Sequence, residues 1–255
     1  MAIRLLTAVS RRTFLTSAGL LLAGLSPLGR LLRNAGRAEG LDVAMSYVGV
    51  STVDIPMSAN WLPARATISP PAGYQSGDLL LLCVYYTPGR RSLVATGEWR
   101  EIHKLYSGTT PVCQDTRWKI ARANEPICSL TFSSWVLGGT AVILAYRGVS
   151  LTYGSPIICA TGQANIFSAP IATPPANVIL PAGTMLVALF ATDDFGFPSF
   201  EPPVGMTERF DQANYDCAGC GADKLLISDT IPEAQACVST TGGVPSVGLL
   251  LGLKR

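Results

Sequence analysis

Gly77-Asp78-Leu79-Leu80-Leu81-Leu82-Cys83-Val84-Tyr85-Tyr86 is the stretch on which the reading of the fold turns. A Gly-Asp turn signal opens it and Thr87-Pro88-Gly89 closes it. The apolar run between them falls short of the roughly 20 residues that a membrane span needs. A short, continuously apolar run between turn signals is the pattern of a strand buried on both faces. A comparable run returns as Gly183-Thr184-Met185-Leu186-Val187-Ala188-Leu189-Phe190-Ala191 and ends at Asp193-Asp194. Leu79 and Leu186 are 107 residues apart, and the same shift carries Trp99 to Met206, Glu101 to Glu208, Cys113 to Cys220, Arg117 to Lys224 and Arg147 to Lys254. The chain therefore reads as one β unit used twice, with copies at 79–147 and 186–254 joined by residues 148–180, where strand is expected to continue in part. A period this long is that of a duplicated sandwich, because solenoid repeats run about 20–50 residues.

Working outward from these runs, Trp99–Tyr106 alternates polar and apolar residues, as a strand with one wet face does. Ala141–Tyr146 and Val247–Leu253 are apolar throughout and read as central strands. Val43–Val50 and Ala66–Ile68 supply earlier strands. No sustained helical periodicity follows residue 40. The expected fold is all-β: an antiparallel two-sheet sandwich of jelly-roll type over residues 41–255, preceded by a helical leader at 1–40.

The leader carries Arg4, Arg11 and Arg12, then Phe14 and Leu15, then an apolar stretch from Ala18 to Leu25. Arg11-Arg12-Thr13-Phe14-Leu15 resembles the twin-arginine export motif, and Gly36-Arg37-Ala38 offers small residues for a signal peptidase. The alternatives are a retained anchor or a membrane-lying helix, since Arg30, Arg33 and Arg37 recur on one helical face, which puts membrane contact in residues 1–38. An exported protein is the expectation, in the periplasm, at the cell surface or outside the cell. A virion is the alternative.

Only 14% of residues are charged and 48% are hydrophobic, so the interior is generous and the surface poor in charge. The net charge is +2 and much of the basic excess lies in the leader. No basic stripe is left to follow a phosphate backbone, which argues against nucleic acid. Seven cysteines without repeated CxxC pairs fit neither a zinc ribbon nor a dense disulfide scaffold.

The order Gly-Asp-Leu-Leu-Leu, then Gly97-Glu98-Trp99, then Trp118-Lys119-Ile120-Ala121 leading to Glu125-Pro126, then Ala145-Tyr146-Arg147-Gly148-Val149, resembles a β-sandwich domain of phage tail-associated and bacterial surface or secreted proteins. Pro202–Arg209 fits the same pattern, so the resemblance spans about residues 43–255. It implies a surface or virion module and brings no catalytic residues with it. The leader departs from phage tail proteins.

Three places bear on chemistry. His103 is the single histidine, so a Ser-His-Asp or Cys-His mechanism must pass through it; the other reading is a half-buried strand residue. In Asp216-Cys217-Ala218-Gly219-Cys220-Gly221-Ala222-Asp223, Cys217 and Cys220 read as a local disulfide, as half of a metal site joined by Cys113, or as a small-residue turn. Asp216 and Asp223 offer oxygen to calcium, without a recognisable calcium loop. Asp193, Asp194, Phe195 and Phe197 lie together in a loop that pairs carboxylates with aromatic faces, a combination suited to sugars and equally to packing the loop onto its own domain. No cofactor is expected. The leading function is a non-enzymatic structural or adhesive module with protein partners in a surface or virion assembly, expected to be a homo-oligomer. The rivals are a carbohydrate-binding module and a secreted glycan or ester hydrolase.

Overall fold

The structure is a computed structural model, and it describes residues 44–255 apart from 59–61, 88–90, 109–111, 152–153, 167–169, 195, 197, 215 and 241–242. Residues 44–255 form one compact unit. It is all-β, with antiparallel pairing throughout and no helix among the described residues. The expected leader helix, with Arg11, Arg12, Phe14 and Leu15, lies outside the described residues.

The first eight strands are β1 Ser46–Ile55, β2 Arg65–Ile68, β3 Leu79–Thr87, β4 Leu93–Ala95, β5 Arg100–Tyr106, β6 Cys113–Ile120, β7 Cys128–Phe132 and β8 Gly138–Arg147. The next eight are β9 Ile157–Asn165, β10 Ile171–Ala172, β11 Met185–Thr192, β12 Phe200–Glu201, β13 Thr207–Asn214, β14 Cys217–Leu225, β15 Ala236–Ser239 and β16 Ser246–Leu253. A five-stranded sheet, β1-β8-β3-β6-β5, is matched by a three-stranded sheet, β2-β7-β4. A second five-stranded sheet, β9-β16-β11-β14-β13, is matched by β10-β15-β12. Adding eight to each strand number of the first set gives the second set in the same order, so the duplication is present in the topology itself.

The duplication differs from the sequence expectation in two ways. First, the strands expected within residues 148–180 are present as β9 and β10, but they belong to the second copy and open it. Second, the shift is not 107 throughout. Leu79 pairs with Ile120 and Tyr146, and Met185 pairs with Leu225 and Leu253. Leu79 therefore corresponds to Met185, an offset of 106, and Ile120 to Leu225, an offset of 105, while Tyr146 to Leu253 keeps 107. The counterpart of Cys113 is consequently Ala218, not Cys220, and that of Arg117 is Ala222, not Lys224. One bulge recurs in both copies at the 107 offset: β5 slips between Glu101 and His103, and β13 between Glu208 and Phe210.

Burial of β3 on both faces has a simple cause. Leu79, Leu81, Cys83 and Tyr85 point into one core, and Leu80, Leu82, Val84 and Tyr86 into another. The second of these lies between the first large sheet and its own small sheet, where it gathers Ile55, Leu130, Phe132 and Ile143. The first lies between the two large sheets, where Val142, Leu144 and Tyr146 meet Val187, Leu189, Val247, Leu249 and Leu251. A third core around Leu186, Phe190, Cys220 and Leu250 fills the second sandwich. The molecule is thus four layers of sheet enclosing three cores. Each fully buried Leu, Val or Phe contributes roughly 1.5–3 kcal/mol of transfer free energy. In the middle interface β1 meets β13 and β5 meets β9, the self-complementary arrangement of a two-fold dimer made within one chain.

Two close approaches set that interface. Gly219 admits the Tyr85 ring, since a Cβ at 219 would stand 2.5 Å from Tyr85 Cδ2. Asp223, buried in β14, accepts two hydrogen bonds from Arg209, at 2.9 Å from Nε and 2.8 Å from Nη2, and a third from the Tyr146 hydroxyl of the other sandwich at 3.0 Å. Asn214 of β13 adds a second polar tie, donating to the carbonyls of Ile55 and Gly139 at 3.1 and 2.8 Å.

Candidate functional site

At one end of the first sandwich the start of β5, the end of β6 and the segment after β8 frame a cleft of about 340 Å³. The frame is stiffened by the residues that carried the family resemblance. Asp78 takes a bidentate pair of hydrogen bonds from Arg147, at 3.0 and 2.9 Å, and a third from the Gln75 amide at 2.8 Å, which locks the start of β3 to the end of β8. Gly77, at φ 96°, supplies the left-handed turn that lets Asp78 face this way. Trp99 donates its indole N–H to the Thr96 carbonyl at 3.1 Å and lies under the Lys119 ammonium, 5.3 Å from the ring centre. Lys119 is ion-paired with the buried carboxylate of Glu125, and that carboxylate also accepts from the Arg122 amide at 3.0 Å. These residues shape the end of the sandwich and hold it still.

Within this frame Arg100 and Trp118 are directly opposite on β5 and β6. The guanidinium lies 5.1 Å from the centre of the Trp118 ring. Arg122 and Glu98 form an exposed ion pair at 2.7 Å across the mouth, and Ile120 and Leu151 supply apolar wall. A pair this exposed adds little to stability, so its two side chains are available to a ligand.

The other sequence candidates are scattered. Asp194 is largely buried and accepts a hydrogen bond from the Gly196 amide at 2.8 Å, a turn built by the loop for itself. Asp193 is held at its backbone by the Pro245 carbonyl, 3.0 Å away. Phe195 and Phe197 lie outside the described residues, so the stacking half of that proposed sugar site does too. His103 sits half-buried in the β5 bulge opposite Thr116.

The cysteine reading requires correction. Residues 217–223 form a central strand, not a turn, and Cys217 and Cys220 point to opposite faces of it. Cys217 faces the core between the large sheets, Cys220 the core of the second sandwich, and Cys113 the core of the first. The three thiols cannot converge, and all seven cysteines are free and buried. Cys220 instead meets Cys237, and the hydrogen bond between the two thiols, with burial, pushes the Cys220 thiol up. Asp216 and Asp223 are about 23 Å apart along an extended chain, too far to share a calcium ion. Among the described residues no three His, Cys, Asp or Glu side chains converge as metal ligands.

Sequence reasoning missed Arg100 and Arg122, which looked like ordinary strand and turn charges. The register that sets Arg100 against Trp118 is visible only in the fold, so the sequence carries no signal for this pair. No family model, curated protein or solved structure matches this chain.

Proposed function

We propose that the chain is a structural or adhesive module of a cell-surface or virion assembly, working through contacts between copies of itself. The observation that carries this reading is an asymmetry between the two copies. The strand ends and turns that form the polar cleft in the first sandwich recur in the second, but their outermost positions carry exposed aliphatic side chains there. Arg122 corresponds to Ile227, which is 93% exposed, and the aliphatic Ile120 remains aliphatic as Leu225, which is 42% exposed. Gly97 corresponds to Val204, which is 98% exposed. Ile179 and Ile231 stand beside these, flanking the Leu180–Thr230 bridge, and both are exposed. Exposed aliphatic residues gathered on one end of a domain fit a contact surface better than a solvated one.

The four-layer build suits such a role, because every central strand is pinned on both faces and the end of the domain is held rigid. Strand order β1-β8-β3-β6 facing β2-β7-β4 supports the jelly-roll assignment for each copy. The exported address rests on the Arg11-Arg12 leader, and N-terminal sequencing of the mature protein tests it: a start near Glu39 supports export. The function itself is tested by light scattering after size exclusion. The chain is expected to run as an oligomer and to revert toward monomer when Val204→Ser and Ile227→Ser are combined. A wild-type monomer at high concentration would refute the reading.

A further inference from the structure

We propose that the cleft between Arg100, Trp118 and Arg122 binds a sugar acid, taking the carboxylate on Arg100 and the hydroxyls on the Glu98–Arg122 pair. The inference goes beyond the structural reading and does not depend on it.

Charge comes first. Arg100, Lys119 and Arg122 gather here against Glu98 and Glu125, which leaves one positive charge in surplus. Lys119 is committed to Glu125 and Arg122 to Glu98, so the surplus falls on Arg100. No carboxylate among the described residues pairs with it. Its geometry fits a planar anion. The guanidinium face is spent on the Trp118 ring, 5.1 Å away, and its N–H edge is left to fork a carboxylate in two parallel hydrogen bonds.

The remaining walls select the rest of the ligand. Glu98 is an acceptor and Arg122 a set of donors, together at the mouth, as a hydroxylated ligand requires. A compact polyanion such as phosphate would be opposed by the Glu98 carboxylate. Ile120, Leu151 and the border of Trp118 offer apolar surface to the C–H face of a sugar ring. A volume of about 340 Å³ lies at the small end of ligand pockets and suits a small sugar or the end of a chain. In the second sandwich Arg100 and Arg122 are answered by Thr207 and Ile227, and Trp118 by Asp223, so neither guanidinium nor the ring recurs and the site belongs to one copy alone.

Isothermal calorimetry on the full chain at low salt tests this with four probes: tetragalacturonate, its methyl ester, maltotetraose and a tetraglutamate peptide. The uronate is expected to bind, and the ester and the neutral sugar to bind at least tenfold more weakly. Arg100→Gln should weaken uronate binding roughly tenfold to a hundredfold, the loss of a charge-assisted pair of hydrogen bonds, with no change in Tm. If Arg100→Gln disturbs folding, Arg122→Gln carries the same test through the hydroxyl contacts, with at least a threefold loss expected. No uronate binding, ester binding as tight as the acid, or affinity unchanged in both variants overturns the proposal. Tetraglutamate bound as tightly as the uronate also overturns it, because the cleft would then read charge alone and an acidic peptide would be its ligand.

Discussion

Asp223→Ala would strip the middle interface of its main polar tie. The carboxylate is 1% exposed at its side chain and receives three hydrogen bonds, two from Arg209 and one from Tyr146 across the sandwich boundary. Removing it leaves the Tyr146 hydroxyl buried without its acceptor and Arg209 with its charge uncompensated. Breaking a buried pair on one side costs about 3–5 kcal/mol. Arg209 has a side chain 24% exposed and can recover some hydration, which places the expected loss near the lower end, about 3 kcal/mol. Arg209 also stacks on Tyr47, 4.2 Å from the ring centre, a contact that the substitution leaves unanchored. In urea, with a slope of about 2–3 kcal/mol per molar, the midpoint should fall by about 1 M. A double-mutant cycle with Arg209→Met should give a coupling above about 1 kcal/mol, because the two residues act as a unit. A midpoint shift under about 0.3 M, or additive losses, would refute the view that Asp223 holds Arg209 and Tyr146 as one unit at the sandwich boundary.

The other predictions rest on separate parts of the structure. Asp78→Ala should lower stability by about 2–3 kcal/mol in urea, since it removes the Arg147 pair and the Gln75 amide bond together; a loss under about 1 kcal/mol contradicts the lock described at the end of β3. Native protein should leave its seven thiols unreacted with a thiol reagent over the time in which guanidinium-unfolded protein titrates all seven, and its intact mass under non-reducing conditions should show no bridge; a Cys217–Cys220 bridge would contradict the strand assignment. Burial pushes Cys83 and Cys113 up to about 12 from an ordinary value of 9.0, and Tyr85 and Tyr146 are raised by burial as well. These groups hold their protons longer when folded, so their contribution is whole below about pH 9 and is lost as the pH rises toward 12. The urea midpoint should therefore fall steadily from pH 9 to pH 11, and a flat profile over that range contradicts the burial.

The sequence made the strands legible where burial is one-sided or complete: the Leu79–Tyr86 run, the terminal Val247–Leu253 run and the alternating Trp99–Tyr106. It also gave the duplication, through turns and acids that recur. It hid the register. A strand buried on both faces loses the apolar–polar alternation by which register is read, so Leu79 was set against Leu186 when its partner is Met185. The one-residue error puts the two leucines in different cores. The bounds of β9 and its place in the second copy are hidden because Cys159-Ala160-Thr161-Gly162-Gln163-Ala164 is small and polar, as suits a sheet edge approached closely by Leu105, which a Cβ at Gly162 would meet at 2.8 Å. The β14 segment admits the readings of a disulfide loop, half a metal site or a turn for the same reason. Gly219 makes room for Tyr85 across the interface and Gly221 for Phe210 on the neighbouring strand, and small residues facing aromatics resemble loop composition when only one side is in view. The cleft stayed out of sight because Arg100, Arg122 and Leu151 come together only through the fold.

The most direct test of two sandwiches joined face to face is the contact of Gly219 with the Tyr85 ring, read by nuclear Overhauser effects in solution. With the Cβ direction of Gly219 aimed 2.5 Å from Tyr85 Cδ2, the account predicts strong cross-peaks between a Gly219 α-proton and the Tyr85 ring, and an upfield ring-current shift of that proton. A Gly219 α-proton at its ordinary shift with no cross-peak to Tyr85 would contradict it.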